Sequence, residues 1–590
     1  MRIHSIVLLS LGCLSAPAGG LRASVAVSLT PSFPAPSFVG DTVIWEAAVS
    51  DSAPGTLWCR FRVRPPGGVF RTVIDYGPQT SFQWTPAEHE GRFEVEVSAQ
   101  NRGTGEETSA SEFYDVLSRV RDGPTPVISP TLHPLVFLYS APECAPGGRM
   151  RVEFESERGD RVATPAKPCV AGRSMNFLLA GMYREAEYTV RHVVETPAGA
   201  VPGPSLTLTP SPFAVIFNTY RLRTPPAPAA ALPVLLQSTT QGGRAVATDL
   251  QGNLLWFYPG MLNALTRPVA GGTFLGIFQR TASNASYQVV REFDLTGTTI
   301  RETNAARVSE QLEAMGKAAV TAFHHEADSL PDGRVVVLAA TERILTDVQG
   351  PRPVDVIGEM VVVLGRDFQV EWAWDSFDHL DPARAALQGE ACGPAAGACP
   401  PFYLRPRAND WTHANSVRYT PDGNLVMSIR HQDWVIKIDY ADGQGSGRIF
   451  WRLGRDGDFT IESDDPDPWF SHQHDATILP GPDRLLTLFD NSNARFVRDS
   501  TAKSRGQMYQ LDERSRVAKL VYNVDLGLYS SAVGSAQRLP NGNFHFDIGF
   551  LGGGVLSRSV ETDAAGRSVY DIEIDGAAYR TFRMTSLYVP

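Results

Sequence analysis

Five segments in the C-terminal part of the chain repeat one pattern, in which a turn containing proline or glycine leads into an apolar strand. They read RPVAGGTFLGIF, LPDGRVVVLAA, TPDGNLVMSIR, LPGPDRLLTLFD and LPNGNFHFDIG, and their prolines are Pro268, Pro331, Pro421, Pro480 and Pro540. Pro421 to Pro480 spans 59 residues, and Pro480 to Pro540 spans 60. About four strands repeated at such a period are typical of the blades of a β-propeller.

Two further segments complete the predicted ring. GGRAVATDLQGNLLWFY, around residues 242–258, supplies a sixth unit, and the final strand TFRMTSLYV closes the ring. We therefore predict a six-bladed β-propeller over residues 214–590. Only one stretch, SEQLEAMGKAAVTA at residues 309–322, has a convincing helical pattern, which disfavours a parallel α/β fold.

The residues before the propeller also have the pattern of β-strands. Short alternating runs such as FEVEVSAQ, MRVEFESE and YTVRHVVET are separated by Gly, Pro, Asn and Asp turns. The region divides near Asp122-Gly123-Pro124 into residues 25–121 and 122–213, each a suitable length for an immunoglobulin-like sandwich. We therefore predict an all-β protein in which one or two immunoglobulin-like β-sandwich domains precede the propeller.

The N-terminus has the features of a secretory signal peptide, predicted here as residues 1–24. Arg2 is followed by a short apolar run, Ile6 to Leu14, and then by small residues. The run is too short to span a bilayer. We therefore expect a periplasmic or secreted protein. A lipid anchor at Cys13 is disfavoured because Ser10 fits the lipoprotein pattern poorly.

The remaining cysteines predict two disulfides. Cys392 and Cys399 close a small Gly/Pro/Ala loop, and Cys144 and Cys169 flank a predicted hairpin. An exported protein meets an oxidising compartment, so both pairs are expected to be oxidised. Cys59 is left over and is predicted to be a buried thiol. Zinc is disfavoured, since neither pair has a second pair or a histidine cluster at zinc spacing.

The charge of the chain argues against nucleic acid as a partner. The formal net charge is −11. Proteins that bind the phosphate backbone normally carry a basic stripe, and the sequence contains none.

Aligning the repeats on the turn proline brings several polar residues into register. Six residues before the proline stand His325, Asn415, His474 and Gly534, and eight before it stand Phe323, His413, His472 and Ala532. Strand positions two apart share a face, and the first strand of each blade lines the channel. We therefore predict that one axial funnel receives His325, His413, Asn415, His472 and His474, while His324 points away. The alternative is a hydrogen-bonded belt beneath the channel.

Arg430, in the segment SIRHQD, indicates an anionic substrate. Its planar fork of donors suits an oxyanion, although a salt bridge at the surface or between blades is the alternative. Imidazoles also bind metals, and Asp328 and Asp475 are carboxylates close in sequence to the histidines, but Arg430 favours an anionic substrate over a metal. We predict no metal and no cofactor.

These residues lie in three segments that resemble, in the same order, the motifs of the bacterial arylsulfotransferase (arylsulfate sulfotransferase) family. The segments are FHHEADSLPDGRVVVLA, WTHANSVRYTPDGNLVMSIRHQDWVIKID and SHQHDATILPGPDRLLTLFDN. The resemblance covers about residues 215–590, and the Cys392–Cys399 loop is similar to the family's short disulfide loop. It implies an enzyme that moves a sulfuryl group from a phenolic sulfate ester to a phenolic acceptor through a histidine, without a nucleotide sulfate donor.

By motif position, the resemblance implies that His474 is the nucleophile, His325 the first channel histidine, and His413, Asn415 and Arg430 the residues that stabilise charge. Ser535 is a candidate hydroxyl from the last blade, with Ser531 as the alternative. His472 enters the channel by the strand argument, but no family role carries over to it. Trp411, Trp469 and Phe470 lie near the motifs and either stack on an aryl ring or pack within the propeller.

Two other functions stay open at this point: a sulfate-ester hydrolase with water as the acceptor, and a non-catalytic binding propeller at the cell surface. A homodimer is also left open.

Overall fold

The structure is a computed structural model that describes residues 25–121, 123, 125–215, 217–227, 230–239, 243–279, 284–393 and 399–590. The predicted signal peptide with Cys13 and the interior of the Cys392–Cys399 loop lie outside the described residues. Within the described ranges, no helix is both long and apolar enough to cross a bilayer.

The first group of strands encloses an apolar core between two sheets. The strands are β1 (Ala26–Pro31), β2 (Ser37–Phe38), β3 (Val43–Ser50), β4 (Leu57–Arg64), β5 (Arg71–Gly77), β6 (Ser81–Trp84), β7 (Gly91–Asn101) and β8 (Glu107–Leu117). One sheet has the order β1-β3-β6, and the other runs β2-β8-β7-β4-β5. Trp45 of the first sheet meets Tyr114 of the second edge to face, with ring centroids 5.5 Å apart. Cys59 is a buried free thiol, as predicted.

A second group of strands follows the predicted division near residue 122. The strands are β9 (Val127–Pro130), β10 (Phe137–Ala141), β11 (Arg149–Ser156), β12 (Arg161–Ala163), β13 (Lys167–Pro168), β14 (Met175–Leu179), β15 (Tyr188–Thr196), β16 (Gly199–Pro202) and β17 (Leu206–Leu208). They form one sheet of order β9-β10-β14 and another built on β11 and β15. A disulfide joins Cys144 to Cys169. The domain boundaries at 121/122 and 213/214 stay predictions.

The described strands after residue 214 fall into six sheets, in which most neighbouring strands are antiparallel. The first half contains β18 (Tyr220–Thr224), β19 (Val234–Thr239), β20 (Val246–Asp249), β21 (Leu254–Phe257), β22 (Ala264–Val269), β23 (Thr273–Gln279), β24 (Gln288–Asp294), β25 (Thr299–Asn304), α1 (Ala305–Ala314), β26 (Ala322–Ser329), β27 (Val335–Thr346), β28 (Pro353–Leu364), β29 (Val370–Asp375), α2 (Ser376–His379), β30 (Ala391–Cys392) and β31 (Ala408–Asp410).

The second half contains β32 (Ala414–Tyr419), β33 (Leu425–Ile429), β34 (Trp434–Ile438), β35 (Ile449–Gly454), β36 (Thr460–Glu462), β37 (His474–Ile478), β38 (Leu485–Asp490), α3 (Asn493–Arg498), β39 (Arg505–Asp512), β40 (Val517–Asp525), β41 (Ser535–Arg538), β42 (Phe544–Leu551), β43 (Leu556–Thr562), β44 (Ser568–Asp575) and β45 (Ala578–Met584). A second disulfide joins Cys392 to Cys399.

The six sheets have the connectivity of a six-bladed β-propeller. Five are consecutive four-stranded meanders: β22 to β25, β26 to β29, β32 to β35, β37 to β40, and β41 to β44. The sixth combines both ends of the propeller segment, because β45 pairs with β19 in the order β45-β19-β20-β21. The first strands of neighbouring sheets contact one another in succession, β22 with β26, then β32, β37, β41 and β45. The all-β fold is confirmed and the pairing of β45 with β19 agrees with the predicted closure, while the number of blades stays a prediction.

The repeated turns explain why the blades share one geometry. The amide of Gly333 donates to the carbonyl of Leu330 at 3.0 Å, and Gly423 and Gly542 make the same bond to the residues three positions earlier. These glycines have φ of 87°, 79° and 89°, a conformation that a residue with a Cβ rarely adopts. The turn chemistry therefore fixes the register between the first and second strands.

The helix prediction was wrong in its bounds. α1 begins four residues before the predicted start, because the Asn304 side chain accepts from the amide of Arg307 and caps the helix there. It ends at Ala314, and Ala322 already belongs to β26. The helical pattern was extended too far across Gly316, a glycine with φ of 73°.

The sandwiches are packed onto the propeller. One apolar core joins residues of the second sandwich, such as Phe177, to propeller residues such as Trp256 and to the C-terminal Tyr588. The Tyr588 hydroxyl donates to the carbonyl of Leu178 at 2.8 Å. The first sandwich continues the β22–β25 blade, because β25 pairs in parallel with β5.

Candidate active site

The inner strands of three neighbouring blades are irregular where the predicted site residues lie. The pairing register shifts in the segments 323–327 of β26, 414–416 of β32 and 474–477 of β37. Bulges of this kind interrupt the alternation of side chains between faces and re-aim them. His325, His413 and His472 have left-handed backbones, with φ of 58°, 47° and 53°. The strand argument from spacing therefore holds only approximately in this part of the channel.

His324 shows the effect most clearly. The sequence predicted that it faces away from His325. In the structure, Nδ1 of His324 lies 2.7 Å from Nδ1 of His325, and the rings meet edge to face. The prediction was wrong because His325 lies inside the bulge, where neighbouring side chains need not point to opposite faces. Nε2 of His324 lies 3.0 Å from a carboxylate oxygen of Glu359.

Three channel imidazoles share one arrangement. Each has Nδ1 held by a neighbouring side chain, while Nε2 has no hydrogen-bond partner in the described part of the chain. The distances are 2.7 Å from His325 to His324, 2.5 Å from His413 to Asp410 Oδ2, and 2.6 Å from His474 to Asn491 Oδ1. The rings of His325 and His413 meet edge to face, with centroids 4.7 Å apart. The three partners are an imidazole, a carboxylate and a neutral amide, so the three rings have different electrostatic surroundings.

His474 is a buried neutral imidazole. Burial, and then the positive charge of Arg430, lower its pKa well below the usual value. The side chain is 2% exposed. A neutral ring with a free Nε2 lone pair is a competent nucleophile near pH 7.

His325 is also held neutral, for related reasons. Burial lowers its pKa well below the usual value, and the neighbouring His413 and His324 act in the same direction. Its backbone carbonyl accepts a hydrogen bond from the Tyr579 hydroxyl at 2.8 Å. A ring of this kind can accept a proton at Nε2 and give it up readily.

His413 is paired with a carboxylate. Burial alone would raise the pKa of Asp410, but the charges of His413 and His431 outweigh it and hold that pKa well below its usual range. Asp410 is therefore ionised beside the Nδ1 atom of His413. The pair is suited to holding a positive charge on the imidazole when an anion is bound.

Arg430 is half-buried next to these rings. Its guanidinium donates to Nε2 of His431 and to the carbonyl oxygen of Ser531, the latter at 3.1 Å. In the described residues it forms no ion pair with a carboxylate, so the alternative of a salt bridge between blades does not apply there. The charge of Arg430 is therefore not neutralised by a direct carboxylate partner.

Asn415 connects the site to a buried ionic network. The side-chain Nδ2 of Asn415 donates to the backbone carbonyl oxygen of Gln473 at 2.7 Å. The backbone carbonyl oxygen of Asn415 accepts a hydrogen bond from Arg580. Arg580 in turn pairs with Glu326 at 2.8 Å, and both side chains are fully buried. A hydrogen-bonded network of the kind considered as the alternative is thus present beside the imidazoles with free nitrogens, although Asn415 Oδ1 and Glu326 Oε1 have no hydrogen-bond partner among the described residues.

His472 lies in the same region but has no free ring nitrogen. Nδ1 lies 3.0 Å from Asp433 Oδ1, and Nε2 is bonded to Glu390. Burial alone would lower the pKa of His472, but the two carboxylates raise it. Both ring nitrogens are engaged, and the substrate-binding role of His472 stays a prediction.

Ser535 also has its hydroxyl engaged. The side chain is buried, and its Oγ donates to the carbonyl of Thr581 at 3.0 Å. The residue of this blade that meets Arg430 is Ser531, through its backbone carbonyl. Ser535 is the first residue of β41, and its contact with substrate stays a prediction.

The aromatic residues near the motifs pack within the propeller. Trp411 is buried against Phe377, with ring centroids 5.1 Å apart. Trp469 and Phe470 both pack against Tyr509. These contacts support the packing interpretation over stacking on a substrate ring.

Three groups of side chains among the described residues have the composition of a metal site. In one of them, Cys392 and Cys399 with Asp410, the two sulfurs are already joined in a disulfide. The other two are Glu390 with His431 and His472, and Asp410 with His413 and His431. Nδ1 of His431 lies 2.7 Å from the Asp410 carbonyl oxygen, and its Nε2 is bonded to Arg430. A guanidinium at the nitrogen that would ligate the metal disfavours a cation in either group.

The sequence reasoning missed the three residues that set the chemistry of the rings. Asp410 is three residues before His413, Asn491 directly follows β38, and His431 is adjacent to Arg430. All three lie outside the positions aligned on the turn proline. A polar residue directly after a strand that pairs with β37 was the only signal for Asn491.

The fold and the site together define a class: a β-propeller protein with a histidine-rich axial site built around one arginine. The arylsulfotransferase (ASST) family model matches residues 214–580, and the chain belongs to this family. No curated protein matches the chain significantly. Membership supports an aryl sulfotransferase activity, with a phenolic sulfate as donor and a phenol as acceptor.

Proposed function

We propose that this protein is an aryl-sulfate sulfotransferase with a ping-pong mechanism, in which His474 carries the sulfuryl group as a sulfohistidine. The observation that carries the proposal is the arrangement of three imidazoles, each with Nδ1 engaged and Nε2 free, next to the Arg430 guanidinium. Two displacements at sulfur require a nucleophile, an acid/base group and cations near the sulfuryl oxygens, and the cluster contains each kind of group.

In the first half-reaction, Nε2 of His474 attacks sulfur while the bond from sulfur to the phenolic oxygen breaks. The departing oxygen keeps the bonding electrons and takes the Nε2 proton from the imidazolium form of His325, which thereby becomes neutral. Negative charge spreads over the sulfuryl oxygens, as in phosphoryl transfer. Arg430, His413 and the second N–H of Asn415 meet this charge, and one such oriented donor contributes about 3 kcal/mol to the transition state.

In the second half-reaction, His325 takes a proton from the acceptor phenol, and the phenolic oxygen attacks sulfur. The bond from sulfur to Nε2 breaks, and the electron pair returns to the neutral ring of His474. The low pKa of His325 keeps its Nε2 unprotonated, so the ring is in the form that can take the proton when the acceptor phenol binds. No cofactor enters either step.

The experiment is incubation with 4-nitrophenyl sulfate, first without and then with phenol. We expect one equivalent of 4-nitrophenol per chain without an acceptor, one sulfuryl group on the peptide that contains His474, and turnover when phenol is added. Loss of the sulfuryl label in His474→Ala is expected. Full transfer activity in that variant would refute the mechanism, and sustained turnover without phenol would identify a hydrolase.

A further inference from the structure

Asn491 is the only described residue whose side chain touches a ring nitrogen of His474. We propose that Asn491 fixes the tautomer of His474 and so selects Nε2 as the attacking atom. This inference rests on the proposed role of His474 as the nucleophile. Asn491 is then a positioning residue, because it acts on the reaction only through the imidazole.

The orientation of the Asn491 amide follows from its other partners. Nδ2 donates to the backbone carbonyls of Ser530 and Val533, at 2.9 and 3.0 Å. A carbonyl oxygen can only accept, so the NH₂ end of the amide must face these two groups. The Oδ1 end therefore faces His474.

The same logic assigns the proton on His474. Oδ1 of an amide only accepts, and it lies 2.6 Å from Nδ1 of the ring. Nδ1 must therefore carry the hydrogen. A neutral imidazole has one N–H, so the lone pair resides on Nε2, which has no partner in the described residues.

A neutral partner suits a nucleophile better than a carboxylate does. The ring of His413 has a carboxylate as its partner, with Nδ1 2.5 Å from Asp410 Oδ2. The amide of Asn491 binds the N–H of His474 without adding a negative charge, so the ring stays neutral in its buried position next to Arg430. The two rings differ in function because one partner is an amide and the other a carboxylate.

The contact also acts during the reaction. When Nε2 bonds to sulfur, the ring becomes a cation and its Nδ1–H becomes more acidic. The hydrogen bond to Oδ1 then strengthens, which favours the transition state over the ground state. Nδ1–H is kept through both half-reactions, so the ring can leave as neutral imidazole.

The loop that carries Asn491 is rigid enough for this role. Asn491 is fully buried, and its carbonyl accepts from the Ser504 hydroxyl at 3.1 Å. The preceding Asp490 accepts from the amides of Ser471 and Ser492 and pairs with Arg505. The position of Oδ1 is thus determined from both sides of the loop.

The test compares Asn491→Leu and Asn491→Asp in single-turnover release of 4-nitrophenol from 4-nitrophenyl sulfate, as a function of pH. The Leu variant lacks the acceptor, and we expect its rate to fall on the order of 10²-fold at every pH, with little change in substrate affinity. The Asp variant keeps the acceptor and adds a charge that raises the pKa of His474. We expect the Asp variant to retain activity at high pH. As the pH is lowered, its activity should begin to fall at a higher pH than that of the parent.

A matched control separates this role from support of the neighbouring loop. Asn493 donates to the Ser531 carbonyl at 3.0 Å and has no hydrogen bond to His474. Asn493→Leu should therefore leave the acid limb of the pH profile in place, whatever its effect on rate. A rate for Asn491→Leu that is close to the parent's would overturn the inference, and so would equal losses in both Asn491 variants at every pH.

The inference and the proposed function fail in different experiments. If His474→Ala still carries the sulfuryl label, the proposed function fails. If His474→Ala loses the label while Asn491→Leu reacts at the parent rate, only the role of Asn491 fails.

Discussion

Arg430 donates to Nε2 of His431, and that bond requires His431 to be neutral with its hydrogen on Nδ1, where it points at the carbonyl oxygen of Asp410. Burial lowers the pKa of His431 to about 3, so the ring stays neutral at working pH. A neutral histidine thus orients the guanidinium of Arg430. A carboxylate in the same position would neutralise the positive charge of Arg430.

We expect His431→Phe to misalign Arg430, because the ring volume is kept and the acceptor is lost. The specificity constant for 4-nitrophenyl sulfate should fall about 10- to 100-fold, since one charge-assisted hydrogen bond contributes about 1.5–3 kcal/mol. His431→Gln restores an acceptor and should recover part of the loss. Steady-state kinetics of both variants check this, and equal kcat/KM in the Phe variant and the parent would contradict it.

The lowered pKa of His474 predicts that the rate of the first half-reaction falls only at unusually low pH. A ring with a pKa well below the usual value stays unprotonated as the pH falls through 6.5, so the rate of the first half-reaction should not decline there. Removing the positive charge in Arg430→Met should raise that pKa and move the acid limb to higher pH, in addition to lowering the rate. Stopped-flow release of 4-nitrophenol between pH 5 and 8 measures both effects. An acid limb that stays in place in the Met variant would show that Arg430 does not act on the ring.

His325→Gln should affect substrates according to the acidity of the phenol. A good leaving group such as 4-nitrophenolate needs little protonation, so its release should slow only modestly. Phenyl sulfate as donor, and phenol as acceptor, depend on the proton that His325 moves and should slow by about 10²- to 10⁴-fold. The slope of log rate against phenol pKa measures this dependence. An unchanged slope in the Gln variant would remove His325 from proton transfer.

The pair of Glu390 and His472 should stabilise the fold in a limited pH window. The raised pKa of His472 gives stability that is present below about pH 6.5 and lost as the pH rises through the folded pKa. Although burial opposes it, the bond to His472 lowers the pKa of Glu390 to about 2, which gives stability present above about pH 4.3 and lost as the pH falls toward 2. Both contributions are complete between about pH 4.5 and 6.5.

Glu390→Gln should therefore lower Tm more at pH 5.5 than at pH 9. At pH 5.5 the variant leaves the buried charge of His472 without one of its two carboxylate partners, which costs about 3 kcal/mol of folding free energy. Thermal unfolding of the parent and the variant at the two pH values measures the difference. A Tm loss that is the same at both would show that His472 is uncharged in the folded protein.

The prolines of the repeated turns predicted the blades well because the turn, the glycine conformation and the strand register are coupled within a few residues. Strand alternation predicted the channel faces less well. The direction of His324 was predicted wrongly because the pairing of β26 with β27 shifts register around His325, and local spacing does not contain that shift. Asn491 and Asp410 lie outside the positions aligned on the turn proline. Their contacts with His474 and His413 are therefore visible only in the folded structure.

The closure of the ring has a consequence for the assembly of the candidate site. Tyr579 and Arg580 lie on β45, and they hold the backbone carbonyls of His325 and Asn415, which are 254 and 165 residues away in sequence. These contacts form only when β45 is paired with β19. The inner strands that carry His325 and Asn415 therefore reach their final positions only after β45 has docked.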